Sequence, residues 1–165
     1  MYQAGDRVIY GMHGVCRIME EELRTVERKQ VHYLVLEPTD QAGSRYLVPT
    51  HNAAAMAKLR KILTPEEMES LICSDAVRCG EWIRDENQRK QHYRALSSGG
   101  DRTSLLQAVY LLYRHKEAQL ACGRKIHLCD ENFLRDAEKM ICGELCVVLG
   151  MTSEEARIYL REKLK

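Results

Sequence analysis

Residues 5–18 read GDRVIYGMHGVCRI, two apolar runs rich in Val, Ile and Tyr on either side of a glycine-containing turn. Runs of β-branched and aromatic residues of this length favour β-strands. Four such runs occur before residue 50, at 7–10, 14–18, 31–36 and 45–49. Polar or glycine-containing turns separate them, which is typical of a small antiparallel sheet or barrel. The sequence therefore predicts an antiparallel β domain over residues 1–60.

The pattern becomes helical after residue 60. TPEE at 64–67 offers an N-cap, a proline at the first helical position and a reciprocal carboxylate, and TSEE at 152–155 repeats this capping box. SSGGD at 97–101 interrupts the helical pattern, with Asp101 as the cap of the next helix. The predicted helices are 65–73, 78–96, 102–121, 129–149 and 153–163. The chain is thus predicted to be α+β, with an all-α, five-helix domain over residues 61–165.

The composition excludes several classes of protein. The 165 residues carry a formal net charge of only +1, so no overall field points to nucleic acid or to a membrane surface. No stretch approaches the roughly 20 apolar residues of a membrane span, and the first residues lack the basic-then-apolar order of a signal peptide. The prediction is a cytoplasmic protein with no membrane partner.

The seven cysteines contain no CxxC pair. This spacing predicts free thiols and no metal site. Cys142 and Cys146 lie one helical turn apart, which leaves a redox or metal sensor as an alternative. The sequence also lacks a Walker loop, a GxSxG elbow, a dinucleotide-binding glycine fingerprint and an HExxH motif. We therefore expect no enzymatic activity, no cofactor and no small-molecule substrate.

The only tryptophan lies in the charged stretch GEWIRDENQRKQHY, at 80–93. On the predicted helix 78–96, helical periodicity puts this residue, Trp82, on one stripe with Glu86, Arg89, Tyr93 and Leu96. The far end of the stripe is apolar and the near end is charged. Two interpretations of the ring stay open, a core residue or an exposed ring that stacks on or wedges between bases.

Basic residues concentrate around the tryptophan although the whole chain is nearly neutral. Residues 82–125 hold nine Lys and Arg against four Asp and Glu, whereas the flanking segments 61–81 and 126–165 are acidic. A local excess of this kind is expected of a surface that contacts phosphates. A solvated helical face is the alternative interpretation.

Taken together, these motifs resemble a known family. The opening GDRVIYGMHGVCRI, followed by HYLVL, LVPTHNA and KLR, resembles the first domain of the CarD family of bacterial transcription factors. That domain is similar to the polymerase-interaction domain of the transcription-repair coupling factor. The later order of LSSGGDR, LYRHKE and GRKIHLCDENFLRDAEKM is similar to the helical half of the same family.

The resemblance implies a Tudor-like or SH3-like domain that binds the β subunit of bacterial RNA polymerase. It also implies a helical domain that contacts promoter DNA at the upstream edge of the transcription bubble. In this family a tryptophan wedges into the minor groove, largely independently of sequence, and stabilises the open complex. Trp82 fits that role. The basic residues expected to contact the DNA backbone are Arg84, Arg89, Lys90, Arg94 and Arg114.

On the polymerase side the resemblance points to Arg24, Arg45, Leu47 and Pro49. Arg24 occupies the position of one family arginine that is important for the β-subunit contact. The second such arginine, directly before a Val-Pro pair, is replaced by Leu47, and Arg45 lies two residues earlier on the same strand face. The alternative function is a polymerase- or protein-docking module without wedge activity.

Overall fold

The computed structural model describes residues 2–99 and 101–165, so Gly100 of the predicted SSGGD break lies outside the described residues. The chain divides into two compact units, Met1–Ile62 and Leu63–Lys165. The first unit is mainly sheet and the second is helical, which confirms the predicted α+β class. Within the described residues no helix is long and apolar enough to cross a bilayer.

The first unit is a five-stranded antiparallel sheet with the strand order β4-β3-β2-β1-β5. Its strands are β1 (Arg7–Tyr10), β2 (Val15–Val26), β3 (Lys29–Pro38), β4 (Tyr46–Pro49) and β5 (Leu59–Lys61). A 3₁₀ turn at Gly11–His13 joins β1 to β2, and the short helix α1 (Ala53–Met56) precedes β5. The sequence did not predict α1 or β5, because three or four residues are too few to show a periodicity.

Two turns set the pairing of the first three strands. Gly14 has a φ of 75°, a conformation that side chains disfavour, so the turn after β1 requires a glycine at this position. Glu27 and Arg28 have φ values of 50° and 65°, as the two central residues of a type I′ hairpin do. They connect Val26 directly to its partner Lys29, and the resulting β2–β3 hairpin is the longest pairing in the sheet.

One face of the sheet carries the hydrophobic core of the first unit. Val8, Cys16, Ile18, Leu34, Leu36, Val48 and Leu59 form this buried cluster. A β-bulge in β2 shifts the pairing from Ile18↔Leu36 to Glu20↔Val35. The extra residue, Met19, turns the following residues of β2 to the other face. The bulge therefore decides which side chains of the hairpin lie on the same face of the sheet as Leu47 and Pro49 of β4.

The described residues of the second unit form six helices, one more than predicted, because the four-residue helix Asp75–Arg78 is too short to show a periodicity. They are α2 (Pro65–Ile72), α3 (Asp75–Arg78), α4 (Glu86–Ser97), α5 (Arg102–Ala121), α6 (Leu128–Leu149) and α7 (Ser153–Lys163). Both predicted capping boxes are present. The Thr64 side chain accepts from Glu67 N, and the Glu67 carboxylate accepts from Thr64 N. Thr152 and Glu155 make the same pair of hydrogen bonds. Asp101 also caps α5 as expected, accepting from Ser104 N.

The predicted helix 78–96 is wrong in its first half. The chain leaves α3 at Arg78, runs without helix through 79–85, and starts α4 only at Glu86. Asp85 is the N-cap of α4, because its side chain accepts from Gln88 N at 2.8 Å. Gly80 packs so tightly that a Cβ there would lie 2.7 Å from Gln107 Cγ. The periodicity suggested one helix because Asp85 also fits a helical polar face.

The helical core is built mostly by α5, α6 and α7. Its largest fully buried side chains include Leu112, Leu145 and Leu160. Tyr93 of α4 joins this core by stacking on Phe133 of α6, with ring centroids 4.1 Å apart. The buried apolar faces of α5 and α6 therefore supply much of this core.

The capping box of α7 gives a stability test. We expect Thr152→Ala to lower the free energy of unfolding by about 1 kcal/mol, because Glu155 N loses its side-chain acceptor. Thr152→Ser is the matched control, since it keeps the hydroxyl. Urea unfolding followed through the fluorescence of Trp82, which lies in the same unit, measures both. Equal losses in the Ala and Ser variants would show that the cap contributes nothing.

Candidate nucleic-acid interface

The central residue of the candidate interface is Trp82, in the non-helical segment 79–85, which we name the Trp loop. Its indole is half-buried and stacks on the imidazole of His115 from α5, with centroids 3.9 Å apart and an angle of 14° between the planes. The guanidinium carbon of Arg89 lies 4.9 Å from the centroid of the Trp82 ring. The ring is thus held at the surface of the helical unit by a loop.

An open groove surrounds the ring, and we name it the Trp groove. Its lining residues are Trp82, Arg84, Glu86, Arg89, His115, Gln119, Arg124, Lys125 and His127. Arg84, Arg124 and Lys125 are exposed cations. Glu86 is the single acid of the lining, and it pairs with Lys90 of α4. A half-buried aromatic ring among exposed cations suits a ligand that combines flat bases with phosphates.

Two of the predicted DNA-contacting residues do not fit that role. Arg89 is only 4% exposed and its guanidinium is bonded to buried partners, so it is not available to a phosphate. Arg89 lies one turn before Tyr93 on the same buried face of α4, which puts it inside the unit. Arg114 lines a separate cleft with Leu120 and Arg161, and its Nη1 donates to the Tyr110 hydroxyl at 3.2 Å.

The remaining predicted residues lie at or beside the Trp groove. Arg84 lines it, two residues after the tryptophan. Lys90 lies on α4 and holds Glu86, which reduces the negative charge of the groove. Arg94 is exposed one turn further along α4 and lies outside the groove lining.

Sequence reasoning missed five residues of the groove lining, which are His115, Gln119, Arg124, Lys125 and His127. Arg124 and Lys125 follow the end of α5 at Cys122-Gly123, and they belong to the local basic excess. The helix-ending glycine signalled that these two cations sit on an exposed turn. No sequence signal indicated that the turn lies beside Trp82, which is 42 residues before Arg124.

His115 has an electrostatic environment that favours its neutral form. Burial is the main reason that its pKa is lowered, and the nearby side chains of Arg89 and His127 act in the same direction. Asp130 opposes the shift but does not cancel it. The ring stacked on Trp82 is therefore a neutral imidazole near pH 7.

The residues predicted to contact polymerase share one face of the sheet. Glu22 pairs with Tyr33, which pairs with Pro49, and Leu47 lies two residues before Pro49 on β4. Arg24 lies two residues after Glu22 and donates to its carboxylate at 2.9 Å. Side chains alternate along a strand, so Arg24, Leu47 and Pro49 point to the same side. Arg45 is exposed directly before β4, two residues before Leu47, and therefore lies on the same side as these three residues.

The cysteines offer no comparable cluster. Cys142 is buried in α6, and burial raises the pKa of its thiol to about 11, which keeps it protonated and unreactive near neutral pH. Among the residues that the structure describes, no three His, Cys, Asp or Glu side chains are grouped as metal ligands would be.

The stacked pair predicts a pH dependence of the Trp82 fluorescence. Because the folded pKa of His115 lies below the ordinary value, the imidazole stays neutral above about pH 6.5 and becomes charged only at lower pH. We expect the emission to change with a midpoint below pH 6.5, since an imidazolium against the indole alters its fluorescence. The folded pKa lies below the unfolded one, so the unfolded chain binds the proton more readily than the folded protein does. The contribution of this group to stability is therefore lost as the pH falls through its folded pKa.

His115→Gln should remove this transition, whereas His51→Gln, in the first unit, should leave it in place. A transition that survives in His115→Gln would show that the change in emission comes from a group other than His115.

Comparison with known families accounts for the first unit. Residues 2–63 match the model of the CarD-like/TRCF RID domain, which spans the whole five-stranded sheet. This domain is an RNA polymerase-interacting module. The match confirms what the opening motif suggested for this part of the chain: residues 2–63 form a CarD-like/TRCF RID domain.

Proposed function

We propose that this protein is a transcription regulator that binds RNA polymerase through residues 2–63 and contacts promoter DNA with the Trp groove. The contact would lie at the upstream edge of the transcription bubble, where it stabilises the open complex. The observation that carries the proposal is the position of Trp82, a half-buried ring in an open groove lined by the exposed cations Arg84, Arg124 and Lys125.

The energetics of a wedge are adequate for this function. Separating two stacked base pairs costs a few kcal/mol, and an aromatic ring that fills the gap offsets part of that cost. A change of about 1.4 kcal/mol shifts the equilibrium between closed and open DNA tenfold. His115 supports the face of Trp82 that it stacks on, and the half-buried ring keeps part of its surface open to the Trp groove.

The cations around the ring favour binding that does not depend on sequence. Exposed Arg and Lys side chains contact phosphates, which position the protein on a duplex without reading its bases. Arg84, Arg124 and Lys125 line the groove, and Lys90 and Arg94 of α4 flank it. This distribution of cations suits a protein that inserts a ring into the minor groove and contacts the phosphates on either side of it.

For the polymerase contact we propose the sheet face that carries Arg24, Arg45, Leu47 and Pro49, with the β subunit as its partner. The face combines two exposed cations with apolar side chains of β4, one of the two edge strands of the sheet. Leu47 in place of an arginine makes this face less basic than the family pattern implies. Arg45 supplies a cation on the same side of the strand.

The DNA contact is tested by the lifetime of the open promoter complex formed with the cognate polymerase. We expect Trp82→Ala to remove the lengthening caused by the wild-type protein. Arg84→Ala and Lys125→Ala should each weaken binding to forked DNA and lower the slope of log affinity against log salt by about one.

Arg114→Ala is the matched control, because Arg114 is an exposed arginine outside the Trp groove. If Trp82→Ala and the wild type give the same lifetime while both bind polymerase, the protein is a docking module without wedge activity.

The polymerase contact has its own test. We expect Arg24→Glu combined with Arg45→Glu to weaken binding to the β-subunit lobe by at least about tenfold, since two attractive charges become repulsive. Lys58→Glu reverses one exposed cation just before β5, half of the charge change in the double variant, and should bind normally. Surface binding measurements at fixed salt compare the three proteins. Equal affinities for all three would place the interface on another part of the domain.

A further inference from the structure

We infer that Asp130 is a positioning residue for Trp82 and acts through the buried guanidinium of Arg89. The inference deepens the proposed function, because it concerns how the same ring is presented to DNA. It assigns to Asp130 and Arg89 a role other than phosphate contact. The two residues lie on different helices, and the Trp loop depends on their pairing.

Asp130 lies in the first turn of α6 and is fully buried. Its Oδ1 accepts from Arg89 Nε and its Oδ2 from Arg89 Nη2, both at 3.0 Å. Oδ1 also accepts from the Tyr93 hydroxyl at 2.9 Å. Both carboxylate oxygens are thus used by α4, and the bidentate arrangement fixes the plane of the guanidinium.

The other edge of the guanidinium holds the Trp loop. Arg89 Nη1 donates to the carbonyl oxygens of Ile83 at 3.0 Å and of Arg84 at 2.9 Å. These are the two residues directly after Trp82, and the guanidinium carbon itself lies 4.9 Å from the ring centroid. One side chain therefore joins α6, α4 and the backbone that carries the indole.

Only an arginine can make this set of contacts. Its planar fork places several donors in fixed directions, whereas a lysine ammonium is a single point with a flexible stem. The hydrogen bond with Asp130 is the main reason that the pKa of Arg89 is raised, so the cation persists at any ordinary pH. Burial, with Asp130 close by, raises the pKa of Tyr93, which keeps its hydroxyl a donor.

A buried ion pair is a poor device for stability alone, because desolvation offsets most of the attraction. Its better attested effect is to select one arrangement of the groups around it. The Trp loop has no helix or strand of its own, so its backbone carbonyls need partners elsewhere. A ring already held in its binding position loses less conformational freedom when DNA binds.

The single tryptophan makes the test direct. Acrylamide quenching and fluorescence anisotropy report only on Trp82, and they are measured on the free protein well below each unfolding midpoint. In Asp130→Asn and in Arg89→Lys, we expect the quenching constant to rise about twofold and the anisotropy to fall, because the loop opens locally. Tyr93→Phe is the matched control, since it removes one bond to Asp130 that does not reach the loop.

The same variants are then compared for affinity to forked DNA, with Trp82→Ala alongside. We expect both clamp variants to bind about tenfold more weakly, the loss expected when about 1.4 kcal/mol of preorganisation is removed. Wild-type quenching and anisotropy in both folded variants would overturn the positioning role, even if their unfolding midpoints fall. Low anisotropy and strong quenching of Trp82 in the wild-type protein would also overturn the positioning role, because the ring would then be mobile with the clamp intact.

The two proposals fail in different ways. If the clamp variants loosen Trp82 while Trp82→Ala leaves DNA affinity unchanged, the positioning role stands and the wedge function fails. If Trp82→Ala abolishes DNA binding while the clamp variants keep wild-type fluorescence, the wedge function stands and the positioning role fails.

Discussion

The buried ion pair between Arg89 and Asp130 is the constraint on which the candidate interface depends. It connects the start of α6 to α4 and bonds the backbone just after Trp82. Because the loop has no regular hydrogen bonding of its own, the position of the indole follows from where this guanidinium lies. His115 then supports the ring from α5. The arrangement separates two groups of charge, since Arg89 and Asp130 are buried behind the Trp loop while Arg84, Arg124 and Lys125 stay exposed in the Trp groove.

The sheet shows a similar dependence on one local feature. The bulge at Met19 in β2 reverses the alternation of the hairpin beyond it. Before the bulge, Cys16 and Ile18 point into the core; after it, Glu22 and Arg24 share a face with Leu47 and Pro49. A regular strand would have placed Arg24 on the opposite face. The CarD-like/TRCF RID domain thus gains a continuous candidate docking face from one extra residue in an edge-proximal hairpin.

Several features were predictable from the sequence because they depend on neighbouring residues. The capping boxes at Thr64 and Thr152, the cap at Asp101 and the apolar stripes of α5 and α6 need only local spacing. The strand-rich opening and its family followed from one motif at residues 5–18. Trp82 and Arg84 were identified by their unusual setting, an aromatic residue in a charged segment. The helix over 78–96 was wrong because Asp85 fits both a helical polar face and an N-cap, and periodicity does not distinguish them.

The sequence by itself determined the α+β class, most helix limits, the CarD-like opening and the choice of Trp82 as the residue of interest. Only the tertiary structure decided which cations accompany it. Arg89 was an obvious phosphate ligand by composition, yet Asp130, more than forty positions later, draws it into the interior. Arg124 and Lys125 reach the Trp groove because α5 returns the chain to it. The physical reason is that a charged side chain is buried only where helix packing brings its partner close. The spacing of residues along the chain does not give the distance between such partners in the folded protein.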